Sequence, residues 1–244
     1  MGNNAIFTWF DLSWPWIGLG LAALLLILLF STHLLRHNPA ASRWRDTVWL
    51  SWLAIPIYMI HQFEEYGVDL LGQKHAFPDA LCSNLGLGNY PACPIPHEFY
   101  LYVNIPLVWL MGLFTSRYSL KNPFVGLGLY SVIISNGMAH IMIFIVRGQY
   151  NPGLFSAVLI FLPSFFWMCN ACFGKGGFPT KGVGVLIATG ILLHAILISS
   201  IFLFLGRKIG DGWLDGIQAV NATTIFFIPL LGDRCLRVYR SSHQ

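Results

Sequence analysis

Long uninterrupted blocks of apolar residues are the feature that most restricts how this chain can fold. A helix needs about 20 apolar residues to cross the hydrocarbon core of a bilayer, because each residue advances it by about 1.5 Å. Seven segments meet or approach that length: 14–35, 48–68, 97–116, 123–146, 152–173, 182–206 and 213–232. Polar residues interrupt the seventh. The sequence therefore predicts an all-α fold, a polytopic transmembrane helical bundle of about seven spans, or six without the last.

The composition agrees with a membrane protein and excludes other classes. Charged residues make up 10% of the 244 residues, and hydrophobic residues make up 56%. A soluble domain usually has about 25% charged residues, and a disordered chain combines low hydrophobicity with high net charge. The net charge of +4 does not predict nucleic-acid binding, because the basic residues are scattered over short loops. We expect one transmembrane domain over residues 1–244, in a plasma (inner) membrane.

The distribution of basic residues between the loops predicts which way the bundle faces. If the spans alternate in direction, ten basic residues lie on one side of the membrane and four on the other. Loops with more Lys and Arg stay in the cytoplasm, so we expect an N-terminus outside and a cytoplasmic C-terminus. The ten are Arg36, Arg43, Arg45, Arg117, Lys121, Lys175, Lys181, Arg234, Arg237 and Arg240, and the four are Lys74, Arg147, Arg207 and Lys208.

The longest connection, about residues 69–96, then lies on the extracytoplasmic side. It is rich in Gly, Pro and Asn, which predicts a loop or cap. Cys82 and Cys93 both fall within it, and two cysteines in an oxidising compartment can form a disulfide. Two alternatives stay open, a Cys82–Cys93 bridge that pins the cap or two free thiols.

All three glutamates of the chain lie close to a histidine, in or at the start of a predicted span. Glu64 and Glu65 follow His61 in the second span, and Glu98 follows His97 at the start of the third. A charged group within a span costs about 2.5–3.5 kcal/mol on insertion scales, so such a residue usually has a role in the interior. The spacing of i, i+3 and i+4 places His61, Glu64 and Glu65 on one helix face.

The predicted topology brings these polar residues to one depth. The second and fourth spans run outward and the third begins outside, so His61, His97 and His140 all lie toward the outer face. Asn136 precedes His140 by one helical turn. Further polar residues at this level are Arg147, Tyr150, Asn151 and Asp215. The sequence therefore predicts one polar site that faces the extracytoplasmic side.

Histidines and carboxylates from several helices are common ligands of metal ions in helical bundles. We expect the direct ligands to be His61, Glu65, His97 and His140, with Glu64 and Glu98 as bridging ligands or general base. The residues expected to orient these ligands or to contact substrate are Asn104, Asn136, Arg147, Tyr150, Asn151 and Asp215. Such a set suits one Zn²⁺ with an acid/base carboxylate, or a pair of metal ions such as iron.

Four short motifs carry a resemblance to a known family. They are HQFEE at 61–65, HEFYLYVN at 97–104, NGMAH at 136–140 and YNPG at 150–153. In these motifs the sequence resembles the HXXEE-domain family of integral membrane proteins, over about residues 48–165. The resemblance implies that the site residues are His61, Glu64, Glu65, His97, Glu98 and His140. It implies no substrate, because the function of the family is uncharacterised.

Three functions are open from the sequence. The first is a metal-dependent membrane enzyme that acts on a lipid or other apolar small molecule, by hydrolysis with zinc or by oxidation or hydroxylation with di-iron. The second is a proton- or ion-coupled transporter that uses the carboxylates as a relay. The third is a non-catalytic lipid-binding membrane protein. Cys169 and Cys172 lie at the cytoplasmic end of the fifth span in this topology, and packing explains them better than redox chemistry.

Overall fold

The computed structural model describes residues 9–40 and 42–239, and this part of the chain is almost entirely helical. The α-helices are α1 (Trp9–Ser31), α2 (Thr47–Tyr66), α3 (Ala76–Asn84), α4 (His97–Asn104), α5 (Leu113–Tyr118), α6 (Pro123–Gly126), α7 (Leu129–Arg147), α8 (Leu154–Ser156), α9 (Leu162–Cys172), α10 (Lys181–Leu205), α11 (Asp211–Asn221) and α12 (Thr224–Leu236). Two π-helical segments, Ile105–Gly112 and Ala157–Phe161, join α4 to α5 and α8 to α9. The all-α prediction is confirmed. Arg240, counted above with the basic tail, lies outside the described residues.

Five helical stretches among the described residues are long and apolar enough to cross a membrane. A sixth is added if α11 and α12, which meet at an angle of 42°, form one broken span. The five are Trp9–Ser31, His97–Tyr118, Pro123–Arg147, Leu154–Cys172 and Lys181–Leu205. The structure thus supports an integral membrane protein with five to six spans by these criteria, fewer than the seven expected. The direction in which they cross stays a prediction.

The difference in count comes from α2, which corresponds to the predicted span 48–68. Its 20 residues are long enough to cross a bilayer, but four of its last six side chains are polar. Sixteen of the 20 residues are buried inside the protein. A helix that faces protein on nearly all sides does not need an apolar surface toward lipid, so α2 can carry polar side chains.

The position of α2 is fixed at its N-terminal end. Asp46 caps the helix, and its side chain accepts hydrogen bonds from the backbone N–H groups of Val48 and Trp49 at 3.0 and 3.2 Å. The fully buried indole of Trp49 donates to the carbonyl oxygen of Leu29 on α1 at 2.9 Å. These contacts seat α2 against α1 and direct its polar C-terminal end into the bundle.

The connection between α2 and α4 forms a cap that contains the short helix α3. Cys82 and Cys93 are joined by a disulfide, with their Cα atoms 6.1 Å apart, which is the first of the two alternatives that the sequence left open. Both cysteines are buried in an apolar cluster that also includes Trp14, Phe99 and Tyr100. The bridge therefore closes a loop within the cap, and the apolar cluster packs the cap against the adjacent ends of α1 and α4.

The disulfide can be tested by counting the free thiols. The chain has five cysteines, and Cys169, Cys172 and Cys235 are free. Titration of the denatured protein with a thiol reagent should give three thiols without reductant and five after reduction. A Cys82→Ser/Cys93→Ser double variant, as control, should give three under both conditions. Five thiols in the unreduced wild-type protein would contradict the bridge.

Candidate metal centre

Three buried side chains from two helices face one another near the C-terminal end of α2. His61 and Glu65 lie one turn apart on α2, and His140 projects from α7. The Nε2 atoms of His61 and His140 lie 3.5 and 3.2 Å from Oε1 of Glu65. The three residues offer one ligand atom each, all within 4.8 Å of one another, and none is more than 4% exposed. This triad can hold a metal ion.

The hydrogen bonds of His140 determine which of its ring nitrogens carries the proton. The side-chain amide of Asn151 donates from Nδ2 to the carbonyl oxygen of His140 at 3.0 Å, which turns its Oδ1 toward Nδ1 of the ring, 2.7 Å away. An amide oxygen can only accept, so Nδ1 of His140 is the donor. In the neutral ring the lone pair is therefore on Nε2, which faces Glu65.

The same reasoning applies to His61. Its Nδ1 lies 2.8 Å from Oγ of Ser156, and that hydroxyl donates to the carboxylate of Glu64. Because the single hydroxyl proton is directed at Glu64, Oγ accepts from Nδ1–H of His61. Its Nε2 is then also unprotonated, and Nδ2 of Asn136 donates to it at 2.9 Å.

Two imidazole lone pairs and a carboxylate oxygen consequently point into one small volume. These groups repel one another unless a cation or a proton lies between them, and neutral imidazole with carboxylate is a common ligand set for divalent transition metals. The outer hydrogen bonds from Nδ1 are of the kind that orient histidine ligands in metal sites. A metal ion bound to Nε2 of His61 would replace its bond from Asn136, whose amide also lies 3.1 Å from the hydroxyl of Tyr58.

Comparison with known proteins covers the same part of the chain. Residues 52–168 match the model of a family described as protein of unknown function with HXXEE motif. Over this region the chain is similar to the HXXEE family. The matched region includes the whole triad together with Asn151 and Ser156, and it ends before α10. No curated protein and no solved structure matches the chain in the corresponding searches.

The two glutamates of the HXXEE motif have different surroundings. Glu65 faces the histidines, whereas Glu64 accepts from the backbone N–H groups of Phe155 and Ser156 at 3.0 and 2.7 Å, and also from the hydroxyl of Ser156. The hydroxyl of Tyr150 donates to it at 2.8 Å. Burial raises the pKa of Tyr150, and the Glu64 carboxylate raises it further, so the Tyr150 hydroxyl keeps its proton. With four donors, Glu64 is an anchor for α8, which argues against the predicted role of bridging ligand or general base.

Gly153, in the YNPG segment, forms one wall of the triad. Its φ of +93° lies in the region that favours glycine. A Cβ atom there would lie 2.6 Å from Cε1 of His140 and 2.8 Å from Cε1 of His61, closer than carbon atoms pack. The backbone of this loop therefore touches both rings, and a side chain at this position would displace them. The motifs of the sequence include this segment but do not single out Gly153 or Ser156. An NPG turn is a sequence signal for Gly153, whereas Ser156 has none.

His97 and Glu98, expected at the same centre, lie elsewhere. Nε2 of His97 is 3.6 Å from Asp11 on α1, and its Nδ1 is 3.2 Å from Glu98. The Glu98 side chain is 51% exposed. Helical spacing predicts depth and face, but α4 begins at His97, and its first turn faces the end of α1 instead of α7. Neither residue joins the triad in the described part of the chain.

The six supporting residues expected from the sequence divide equally. Asn136, Tyr150 and Asn151 contact the triad or Glu64, as described above. The other three, Asn104, Arg147 and Asp215, form no hydrogen bond or ion pair with these groups in the part of the chain that the structure describes. The side-chain oxygen of Asn104 accepts from Gln62 at 2.9 Å, and Arg147 is an exposed residue that donates to a cap carbonyl. Oδ1 of Asp215 is buried and has no hydrogen-bond partner among the described residues.

Aromatic rings enclose the triad. The Phe161 ring centroid lies 4.3 Å from that of His61, and the Phe77 ring from the cap lies 6.0 Å from that of His140. Phe161 ends the π-helical segment Ala157–Phe161, just before Pro163. Proline has no N–H, so the carbonyl four residues earlier lacks its α-helical donor, which favours the wider turn. The apolar surroundings strengthen electrostatic interactions within the site.

The contact between Gly153 and the two rings can be tested against a glycine of similar backbone conformation. We expect Gly153→Ala to lower the free energy of unfolding by about 1–3 kcal/mol more than Gly148→Ala, because only the first adds a clash. Gly148 has a φ of +67°, and a Cβ atom there would meet nothing within 4 Å. Unfolding of both purified variants in one detergent measures the difference. Equal stability of the two variants would contradict this geometry.

Proposed function

We propose that the chain is a metal-dependent membrane enzyme in which His61, Glu65 and His140 hold one divalent metal ion. The observation that supports this most strongly is the convergence of the Nε2 atoms of His61 and His140 and a carboxylate oxygen of Glu65 within 4.8 Å. Two histidines and one glutamate are the ligands of several catalytic zinc sites, in which a fourth position is left for water or substrate. A metal ion at such a site polarises the substrate and lowers the pKa of bound water.

A single ion is favoured over the di-iron pair that the sequence also allowed. Di-iron sites in helical bundles use about four carboxylates with two histidines. The triad has one carboxylate, since Glu64 is occupied by four donors and Glu98 is half exposed. We therefore favour hydrolysis by a zinc-type site over oxidation by a metal pair.

The substrate class in this proposal is a lipid or another apolar small molecule. Supporting observations are the depth of burial of the triad and the rings of Phe77, Phe161 and Tyr58 around it. The amide of Asn136 contacts Nε2 of His61, and the hydroxyl of Tyr58 lies 3.1 Å from that amide. They are placed to orient a polar group of a substrate whose remainder contacts aromatic walls.

Metal content tests the ligand assignment. We expect roughly one equivalent of divalent metal in the purified wild-type protein, and a loss of most of it in His140→Ala and Glu65→Gln, because each removes one of three ligands. The isosteric Glu65→Gln variant keeps the shape of the side chain. His97→Ala is the matched control and should retain the metal. Elemental analysis after gel filtration measures all four proteins.

Two results would contradict the proposal. One is a wild-type protein without stoichiometric metal, and the other is full retention of metal by both triad variants.

The reaction can be tested with the same proteins by mass spectrometry of a total lipid extract after incubation. A hydrolysis product should form with wild-type protein and with His97→Ala, but not with Glu65→Gln or after chelation.

A proton pathway is the second candidate, because one observation favours it. Hydrogen bonds run from Nδ1 of His61 through Ser156 to Glu64, which also accepts from Tyr150. The Tyr150 hydroxyl in turn accepts from the exposed backbone of Leu70 in the cap. Such a chain can connect a buried proton to the surface. Proton uptake by liposomes that contain metal-free wild-type protein, abolished in Ser156→Ala, would favour this function over the enzyme.

We also propose that the cap and the triad lie on the extracytoplasmic side. The disulfide supports this, because disulfides persist in oxidising compartments. With the buried helix α2 counted as a span, the excess of basic residues in the opposite loops supports it as well. Both arguments give the same orientation, with the N-terminus outside.

Labelling of single cysteines tests this orientation. Lys74 and Lys175 are exposed residues in opposite loops. In a background in which Cys169, Cys172 and Cys235 are replaced by Ser, we expect Lys74→Cys to react with a membrane-impermeant maleimide in intact cells. Lys175→Cys should react only after permeabilisation. The reverse pattern would invert the orientation.

A further inference from the structure

A cavity lies near the candidate metal centre, at the junction of α1, α4 and the cap. It has a volume of about 210 Å³, and Tyr66, the residue after Glu65, lines it. The Phe77 ring lies 5.6 Å from the Tyr66 ring and 6.0 Å from the His140 ring, so it stands between this cavity and the triad. None of the triad residues lines this cavity.

Four aromatic side chains form a continuous wall of the cavity. Trp14 and Tyr66 have ring centroids 5.0 Å apart, Tyr66 and Tyr100 6.0 Å, and Tyr90 and Tyr100 5.9 Å. The angles between the ring planes of these pairs are 48°, 55° and 87°. Rings tilted against one another in this way enclose a ligand from several directions, as in the aromatic cages that bind quaternary ammonium groups.

The charges around the cavity are mainly negative. Asp11 and His97 both line it and lie 3.6 Å apart, and His97 also contacts Glu98, so two carboxylates share one imidazole. Burial, and then the carboxylates of Asp11 and Glu98, raise the pKa of Tyr90 to about 12. Burial and the charge of Lys74 lower the pKa of His75, another lining residue, so its ring is uncharged at neutral pH. A cation is therefore favoured over an anion or a neutral molecule.

The ligand chemistry of the cavity also distinguishes between kinds of cation. A divalent metal ion such as Ca²⁺ prefers about six to eight oxygen ligands, and one carboxylate lines the cavity. A quaternary ammonium group instead needs aromatic contact and a nearby negative charge, without directed hydrogen bonds. We propose that this cavity binds the quaternary ammonium group of an organic cation, between the rings of Trp14, Tyr66, Tyr90 and Tyr100 and the carboxylate of Asp11.

Two kinds of molecule that carry a quaternary ammonium group can reach the opening of the cavity. Leu12 and Pro91 are the exposed lining residues, and Leu12 belongs to the apolar span α1. The site can therefore be reached by the headgroup of a choline lipid or by a free quaternary amine. The proposal does not depend on metal at the triad, because none of the triad residues lines the cavity.

Calorimetric titration with choline tests the proposal. The full-length protein is placed in phosphatidylglycerol nanodiscs, which carry no ammonium headgroups, and is titrated with choline and with 3,3-dimethyl-1-butanol, its uncharged isostere. We expect saturable binding of choline and none of the isostere. Tyr90→Leu and Asp11→Asn should each weaken choline binding by about two- to thirtyfold, the range for one such contact, and Tyr90→Phe should retain it.

Matched controls separate loss of the site from loss of the fold. Tyr102 is exposed on α4 and Asp211 is exposed on α11, and neither lines the cavity. Tyr102→Leu and Asp211→Asn should bind choline as the wild type does. The proposal would be overturned by absent choline binding in the wild type, by equal binding of the uncharged isostere, or by unchanged affinity in both Tyr90→Leu and Asp11→Asn.

The same titration identifies the source of the cation. Dihexanoylphosphatidylcholine, used as a dissolved monomer, presents the same ammonium group on a lipid. Tighter binding than that of choline supports the site as a lipid-headgroup site. Weaker but saturable binding supports it as a site for a free quaternary amine.

Discussion

Two hydrogen bonds directed away from the triad, one from each imidazole Nδ1, determine where the two imidazoles carry their protons. They place the protons on the outer nitrogens and leave both Nε2 atoms facing Glu65. The acceptors, Asn151 and Ser156, follow α7 in sequence, and Glu64 of α2 holds this segment through hydrogen bonds. The packing of α2, α7 and α8 around one point therefore follows from the need to satisfy polar groups in an apolar interior.

The sequence predicts most of the fold because the length of an apolar block is set by the thickness of a bilayer. The expected spans differ from the apolar helices of the structure at α2, where the residues that lower the hydropathy are those that build the site. Segment 48–68 was expected as a span from its length, and its polar end is instead accommodated by burial among other helices. Hydropathy treats every span as facing lipid, so it does not distinguish a central helix from a peripheral one.

The sequence predicts those contacts of the site that depend on the spacing of residues along a helix. His61 and Glu65 meet because they lie one turn apart, and His140 joins them from α7. His97 was also expected there, but depth alone does not decide which neighbour a helix faces, and this residue faces α1. The roles of Gly153 and Ser156 depend on the path of a loop, which has no periodic pattern in the sequence.

The glycine backbone beside the two imidazoles has a consequence for how the site can diversify. At Gly153 the surface next to both imidazole rings is main chain, and any side chain larger than hydrogen would clash with the rings. Amino-acid replacement there cannot reshape the site without moving the two imidazoles. Differences in selectivity between related chains would have to arise at the opposite walls, through rings such as Phe77 and Phe161, or through movement of the disulfide-tied cap that carries Phe77.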